Sequence, residues 1–258
     1  FLKFLNQGNL SGLLCNIRFY QSTYKIKKFR ILDFIKFILF KISLKSKDLK
    51  KIFIVDELFY RFLKNRLTKS QLKKILFVSE ACELINTKSK LKLNNLKLRF
   101  DIKKKEKIIL VYGDLKSRKG IFEFIEIIKD ENFPKNIKII FAGKQSNKVE
   151  NYIKKNIRSK KDKKKLILIN KFIDRFEESN FFGVADVIWL AYSGGSDGSS
   201  GVLKQAALAR KPIIESGRGL ISWINKKNKI GISINLKNKI DSINRIKKFF
   251  FNNKTYNF

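Results

Sequence analysis

From about residue 103 onward, short apolar runs alternate with apolar positions at helical spacing, and this alternation restricts the fold more than any other feature. Strand-like runs occupy 108–112, 137–142, 166–169 and 187–191, with shorter ones at 212–214 and 230–234. Helices are expected between and after them at 121–129, 147–158, 176–184 and 200–209. Strands that alternate with helices in this way form a parallel sheet covered by helices. Right-handed crossovers then bring every strand-to-helix loop to one rim, where ligands of such sheets bind. Gly113, Gly143 and the 194–201 loop fall on that rim.

Two of the rim loops carry chemistry. The run Val187 to Ala191 empties through Gly198-Ser199-Ser200-Gly201 into a helix with apolar Val202, Leu203, Ala206 and Ala207. Backbone N–H groups are thereby set free at the positive end of a helix dipole, where a phosphate or diphosphate is favoured. The second loop, Gly113-Asp114-Leu115-Lys116-Ser117-Arg118-Lys119-Gly120, follows the run Ile108 to Tyr112. It leads to a helical face of Ile121, Phe124, Ile125 and Ile128. A lysine between a strand and a helix, flanked by glycines, stands apart from the solvated lysines that crowd the rest of the chain.

Together the two loops resemble the donor-binding motifs of GT-B glycosyltransferases of family 4, also called group 1. In that family two glutamates stand eight positions apart, the first followed by a glycine and the second by an alanine. Here Asp197-Gly198 and Gln205-Ala206 occupy those places, so one glutamate is replaced by a shorter acid and the other by an amide. Downstream, Lys211-Pro212-Ile213-Ile214 and Gly219 match the family's next strand and loop. Upstream, Asp186-Val187 and Tyr192 match the preceding strand, with Ala191 where proline is usual. The Gly113–Gly120 turn is similar to the family's lysine-bearing turn. Some relatives carry arginine directly after the glycine; here Asp114 stands there and Arg118 becomes the second cation.

The resemblance implies an α/β, GT-B type fold with a complete C-terminal Rossmann-like domain and a partial N-terminal one. The C-terminal domain, with its parallel sheet, would span 103–245 and bind the donor. The acceptor-side domain would span 1–98, and 246–258 would form a tail. In the first part, Ile52 to Val55 and Ile75 to Val78 read as strands, and Phe77-Val78-Ser79-Glu80 takes the place of the last N-terminal strand before the hinge. The implied activity is transfer of a hexosyl group from a nucleotide-diphosphate sugar to a glycan or lipid-linked acceptor, as in cell-envelope polysaccharide synthesis. No metal and no cofactor beyond the donor substrate are implied. Lys119 and Asp197 would be catalytic, Lys119 neutralising the leaving diphosphate and Asp197 binding sugar hydroxyls. Gly113, Arg118, Gly198, Ser199, Ser200 and Gly201 would complete the diphosphate cradle. Gln205 would meet the ribose, and Phe172 and Ile173 stand where the family contacts the base. Two core residues at a strand end are an equally good reading of that last pair.

Composition narrows the alternatives. A formal charge of +36 attracts anionic partners, but the cations are spread along the chain, and Lys, Asn, Ile and Phe dominate together as AT-biased coding would produce. Nucleic acid is therefore not expected, while peripheral contact with an anionic membrane stays open. With no histidine, a Ser-His or Cys-His nucleophile pair and a histidine-ligated metal are excluded. Cys15 and Cys82 form no disulfide framework, which fits a cytoplasmic setting, at most peripheral to the inner membrane face. Ile31 to Leu44 reads as an amphipathic helix packed on a core, and the Lys160–Lys165 run as a solvated loop. Phe1 and the lack of any methionine suggest that the N-terminus of a longer protein is missing. Two rivals remain at this stage: a GT-B module that binds nucleotide without catalysis, and a basic nucleic-acid-binding protein.

Overall fold

Runs rich in isoleucine, valine and phenylalanine fit a pleated surface buried on both sides, and in the computed structural model the expected runs are strands. The structure describes residues 10–14, 17–24, 28–78, 90–193 and 200–251. The first elements are β1 (Leu10–Leu14), α1 (Ile31–Ser43), β2 (Leu49–Ile54), α2 (Glu57–Lys64), α3 (Lys69–Leu72) and β3 (Ile75–Phe77). Next come α4 (Lys90–Arg99), β4 (Lys107–Tyr112), α5 (Ile121–Ile128), β5 (Ile137–Ala142) and α6 (Asn147–Asn156). They are followed by α7 (Lys160–Lys165), β6 (Leu166–Ile169), α8 (Arg175–Val184), β7 (Val187–Leu190) and α9 (Gly201–Leu208). The chain closes with β8 (Ile213–Glu215), α10 (Gly219–Asn228), β9 (Gly231–Ser233) and α11 (Lys239–Phe251). These form two compact units, Phe1–Ala81 and Cys82–Phe258.

In the second unit six parallel strands lie in the order β6-β5-β4-β7-β8-β9. Successive strand side chains point to opposite faces. Ile109 and Val111 therefore enter one core with α5, α6 and α11, while Ile108 and Leu110 enter the other with α8, α9 and α10. Chain order reverses between β4 and β7: β5 and β6 extend the sheet one way, β8 and β9 the other. Crevices for ligands open at such a switch point, beyond the carboxyl ends of the strands. Both candidate loops leave from these two strands.

The unit's limits differ from the sequence expectation at both ends. Helix α4 sets Leu93 and Leu96 against the second core, so the unit starts before residue 98. At the other end α11 continues to Phe251, with Ile246 fully buried and Phe249 and Phe250 packed on the first core, so 246–251 are not a tail. The Lys160–Lys165 run is also not a solvated loop but a short helix. Ser159 caps it, accepting from Asp162 N at 3.0 Å, and Lys165 is buried with its ammonium donating to Ile128 O at 2.9 Å. A capping serine and one carbonyl within reach outweigh the mutual repulsion of the lysines.

The first unit holds a three-stranded parallel sheet in the order β1-β2-β3. Its core is an aromatic cluster in which Phe19 meets Phe37, Phe40, Phe59 and Phe62. Asp56 caps α2, accepting from Phe59 N at 3.1 Å, and also receives the Tyr20 hydroxyl. Helix α1 departs from the expectation of a packed amphipathic helix. Phe37 and Phe40 face the cluster, yet Ile31, Leu32, Phe34, Ile35, Leu39 and Ile42 are exposed.

Candidate functional site

The turn after β4 is built so that one cation is carried into the protein. Gly120 takes a left-handed conformation (φ +68°), and a Cβ there would stand 2.1 Å from Ala191 O. Only glycine permits this contact, and it presses the turn against the end of β7. Three further bonds clamp the same junction: Trp189 Nε1 donates to Lys119 O at 2.9 Å, Ser193 N to Arg118 O at 2.9 Å, and Ser193 Oγ to Ser117 O at 3.1 Å. The two edges of the switch-point crevice are thus one rigid construction.

Held there, the Lys119 side chain is only 4% exposed. Its ammonium donates to Tyr112 O and lies 3.3 Å from where a Cβ on Gly113 would stand. Burial lowers its pKa to about 8, and the neighbouring Arg118 guanidinium adds to the effect. Desolvated cations are costly, so a buried ammonium at a sheet's ligand rim marks a place for an anion. The ring of Tyr192 lies beneath both cations, its centroid 5.6 Å from Lys119 Nζ and 5.9 Å from Arg118 Cζ.

The opposite wall is the start of α9. Ser200 is its N-cap by backbone conformation, yet its side chain does not cap the helix. The Ser200 hydroxyl is instead 3.1 Å from the Tyr192 hydroxyl. The first N–H groups of α9 are left without that side-chain acceptor, the arrangement that suits an anionic ligand. Gly201 follows at the exposed first position of the helix. Val202 Cγ2 lies 3.8 Å from the Cβ position of Gly113, so the N-terminus of α9 and the Gly113 turn share one rim. Gln205, a turn further on, has a buried Oε1 with no hydrogen-bond partner among the described residues.

The remaining expected positions divide. Asp197, Gly198 and Ser199 lie outside the described residues. Phe172 and Ile173 part company: Ile173 is 7% exposed and belongs to the second core, whereas Phe172 is 84% exposed. Only the Phe172 side chain is placed to meet a ligand, because the connection into α8 turns one neighbour inward and the other outward. Asp186 sits at the opposite end of β7 from the crevice. It accepts from Ile108 N at 2.8 Å and ties β7 to β4.

Sequence reasoning noticed Tyr192 without giving it work, and missed Trp189, Ser193 and Ser216. Ser216 Oγ donates to Tyr192 O at 2.8 Å, so the tyrosine is fixed from three directions. An aromatic residue at the end of a strand, just before a glycine-rich loop, was the available signal. Tyr112 and Glu178, which hydrogen-bond beside the same rim, both have raised pKa values, chiefly through burial.

A family model described as "Glycosyl transferases group 1" matches residues 94–257. No curated protein matches the sequence. Among solved structures, the chain is similar to WaaG, a glycosyltransferase involved in lipopolysaccharide biosynthesis (13% identity, TM-score 0.65, 95% of this chain and 67% of that one). It is also similar to Anabaena HepE, solved in complex with UDP and glucose (12% identity, TM-score 0.63, 95% and 62%). A glycosyltransferase from Rickettsia africae is a third (18% identity, TM-score 0.60, 82% and 56%). The chain spans 56–67% of the length of these three structures. At such identities the likeness concerns the fold, and it agrees with the α/β, Rossmann-like parallel sheets of the GT-B type.

Proposed function

Because the chain belongs to the group 1 glycosyl transferases, we propose that it takes part in moving a hexosyl group from a nucleotide-diphosphate sugar to a glycan or lipid-linked acceptor. The observation that carries this reading is Lys119, a buried ammonium held at the switch point between the Gly113 turn and the start of α9. An ammonium there, with Arg118 beside it, would neutralise the charge that builds on a departing diphosphate. The uncapped N–H groups of Ser200 and Gly201 would add dipoles aimed at the same oxygens. The charge is then met by protein groups, and no metal is needed.

The other roles follow from position. Gln205 Oε1, buried and without a partner among the described residues, would accept a ribose hydroxyl. Phe172, exposed beyond β6, would stack on the base. Asp197 would hold sugar hydroxyls near the reacting carbon. Gly113 offers room for the phosphates because a side chain there would meet the Lys119 ammonium. A second reading, nucleotide binding without transfer, is favoured by the same two positions, since Asp197 and Gln205 stand where the family carries glutamates.

Calorimetric titration with a nucleoside diphosphate tests the site. Lys119→Ala removes a charge-assisted contact and should weaken binding by about ten- to a hundredfold. Lys163→Ala, on α7 and at the far end of β6, should stay near wild type. Equal small losses in both would mean that the Gly113–Gly120 turn is only a connection. Donor turnover, assayed in parallel over nucleotide sugars, separates the two readings: tight binding with no transfer selects the second.

A further inference from the structure

We propose that the second unit carries a binding site, separate from the switch-point crevice, for a small molecule with an apolar body and a phosphate or carboxylate head. Strand β6 ends the six-stranded order, with β5 on its inner side and no strand beyond it among the described residues. Leu166 and Leu168, two positions apart, point to the same face of the sheet. Leu166 packs on the first core, whereas Leu168 is 47% exposed. Ile153 and Ile157, at the end of α6, are buried and close the inner side of the gap. These four side chains floor a hollow of about 490 Å³. Small-molecule sites typically measure about 300–1,000 Å³.

The rim of the hollow selects the head group. Lys154 on the last turn of α6, Arg158 just past that helix and Lys163 on α7 complete the lining, and no acid is among these residues. Of the carboxylates close by, Glu150 pairs with Lys154 at 2.7 Å, and Asp162 receives the Ser159 hydroxyl and pairs with Lys165 at 3.9 Å. Arg158 and Lys163, both exposed, therefore set the sign of the rim. Helix α7 brings this about: Ser159 caps it and Lys165 turns inward to Ile128 O, which leaves Lys163 at the hollow. An apolar floor beside a guanidinium and an ammonium fits an anion whose body leaves water while its head is paired. A nucleoside diphosphate would leave the floor unused, and a neutral apolar molecule would leave the cations unmet. The inference does not rest on the nucleotide reading, because none of these residues belongs to the crevice between β4 and β7.

Calorimetric titration of the full chain with octyl phosphate, octanoate and octanol, each as dissolved monomer, tests it. The two anions should compete for one site, the tighter of them identifying the head group, and octanol should bind about tenfold or more weakly. R158Q/K163Q should weaken both anions by about tenfold or more, and L168Q by about three- to tenfold. K36Q/K45Q, which removes the same charge from exposed positions of the first unit, should bind as wild type does. Arg158, Lys163 and Leu168 are exposed, so circular dichroism and nucleoside diphosphate binding of their variants should also match wild type. Octanol binding as tightly as the anions would overturn the proposal, as would unchanged affinity in L168Q. Equal losses in R158Q/K163Q and K36Q/K45Q would overturn it too, leaving only the general attraction of a chain with a formal charge of +36.

Discussion

Helices α5 and α1 are drawn from nearly the same residue types, and they meet different surroundings. Ile121, Phe124, Ile125, Ile127 and Ile128 of α5 are all buried, most of them against strands β4, β5 and β7. On α1, Ile31, Leu32, Phe34, Ile35, Leu39 and Ile42 face outward. Apolar spacing marks a face in both helices, but a face is buried only if the fold brings something to cover it. At α5 the cover is the widest part of a six-stranded sheet. The packing of α5 also has a consequence for chemistry, because the Lys119 turn is the start of that helix and moves only if the helix moves.

The contrast breaks first, and with the largest effect, at equivalent aromatic positions. Phe124 is fully buried and stacks on Trp189 with centroids 3.7 Å apart. Phe124→Ala should cost about 3–5 kcal/mol in urea unfolding followed by far-UV circular dichroism. Phe34 on α1 is 56% exposed, and Phe34→Ala should stay within about 0.5 kcal/mol. A loss of several kcal/mol at Phe34 would mean that the outer side of α1 is covered and that the two helices are alike after all.

A second effect reads the burial at the head of α5 through pH. The folded pKa of Lys119 is lowered from 10.5 to about 8, so between these values the unfolded chain holds more of the proton. Stability must then rise with pH across that window, the cost of the buried cation being fully present below about pH 8. Relative to Lys119→Met, wild type should gain about 3 kcal/mol between pH 8 and 10.5. Denaturant titrations of both proteins over that range check it. A constant difference would show that the ammonium is more hydrated than its burial indicates.

The smallest effect sharpens the link between packing and binding. Tyr192→Phe keeps the ring beneath Arg118 and Lys119 but removes the hydrogen bond to Ser200. Nucleoside diphosphate affinity should fall by about three- to tenfold, the worth of one ordinary hydrogen bond. No change in a calorimetric titration would show that the Tyr192–Ser200 bond does not align the start of α9 for the ligand.

Much of the second unit was legible because its central strands β4, β5, β7 and β8 are buried on both faces and its helices on one. Ile108 to Tyr112 is a continuous apolar run and Ile137 to Ala142 is broken only by Lys138, and α5 and α9 follow loops that the same chain marks with glycine. Less was legible where local pattern and surroundings disagree. The strand Leu10–Leu14 contains Ser11 and Gly12 and has a weak signal, yet it pairs with β2 over its whole length. Phe172 and Ile173 are both apolar, and only the path into α8 separates the exposed one from the buried one. Lys165 looked like its neighbours until the Ile128 carbonyl came within reach.

By itself the sequence determined the alternation of strands and helices, the rim that collects the loops, and the lysine and glycines that stand there. These follow from local sterics and from periodicities that a chain carries in any environment. Tertiary structure alone decided which lysine is desolvated, that Tyr192 joins the two loops, and that α1 presents isoleucine outward. Burial and hydrogen bonding depend on what stands opposite a side chain, and residues such as Lys119 and Ser193 meet their partners across about seventy positions of chain.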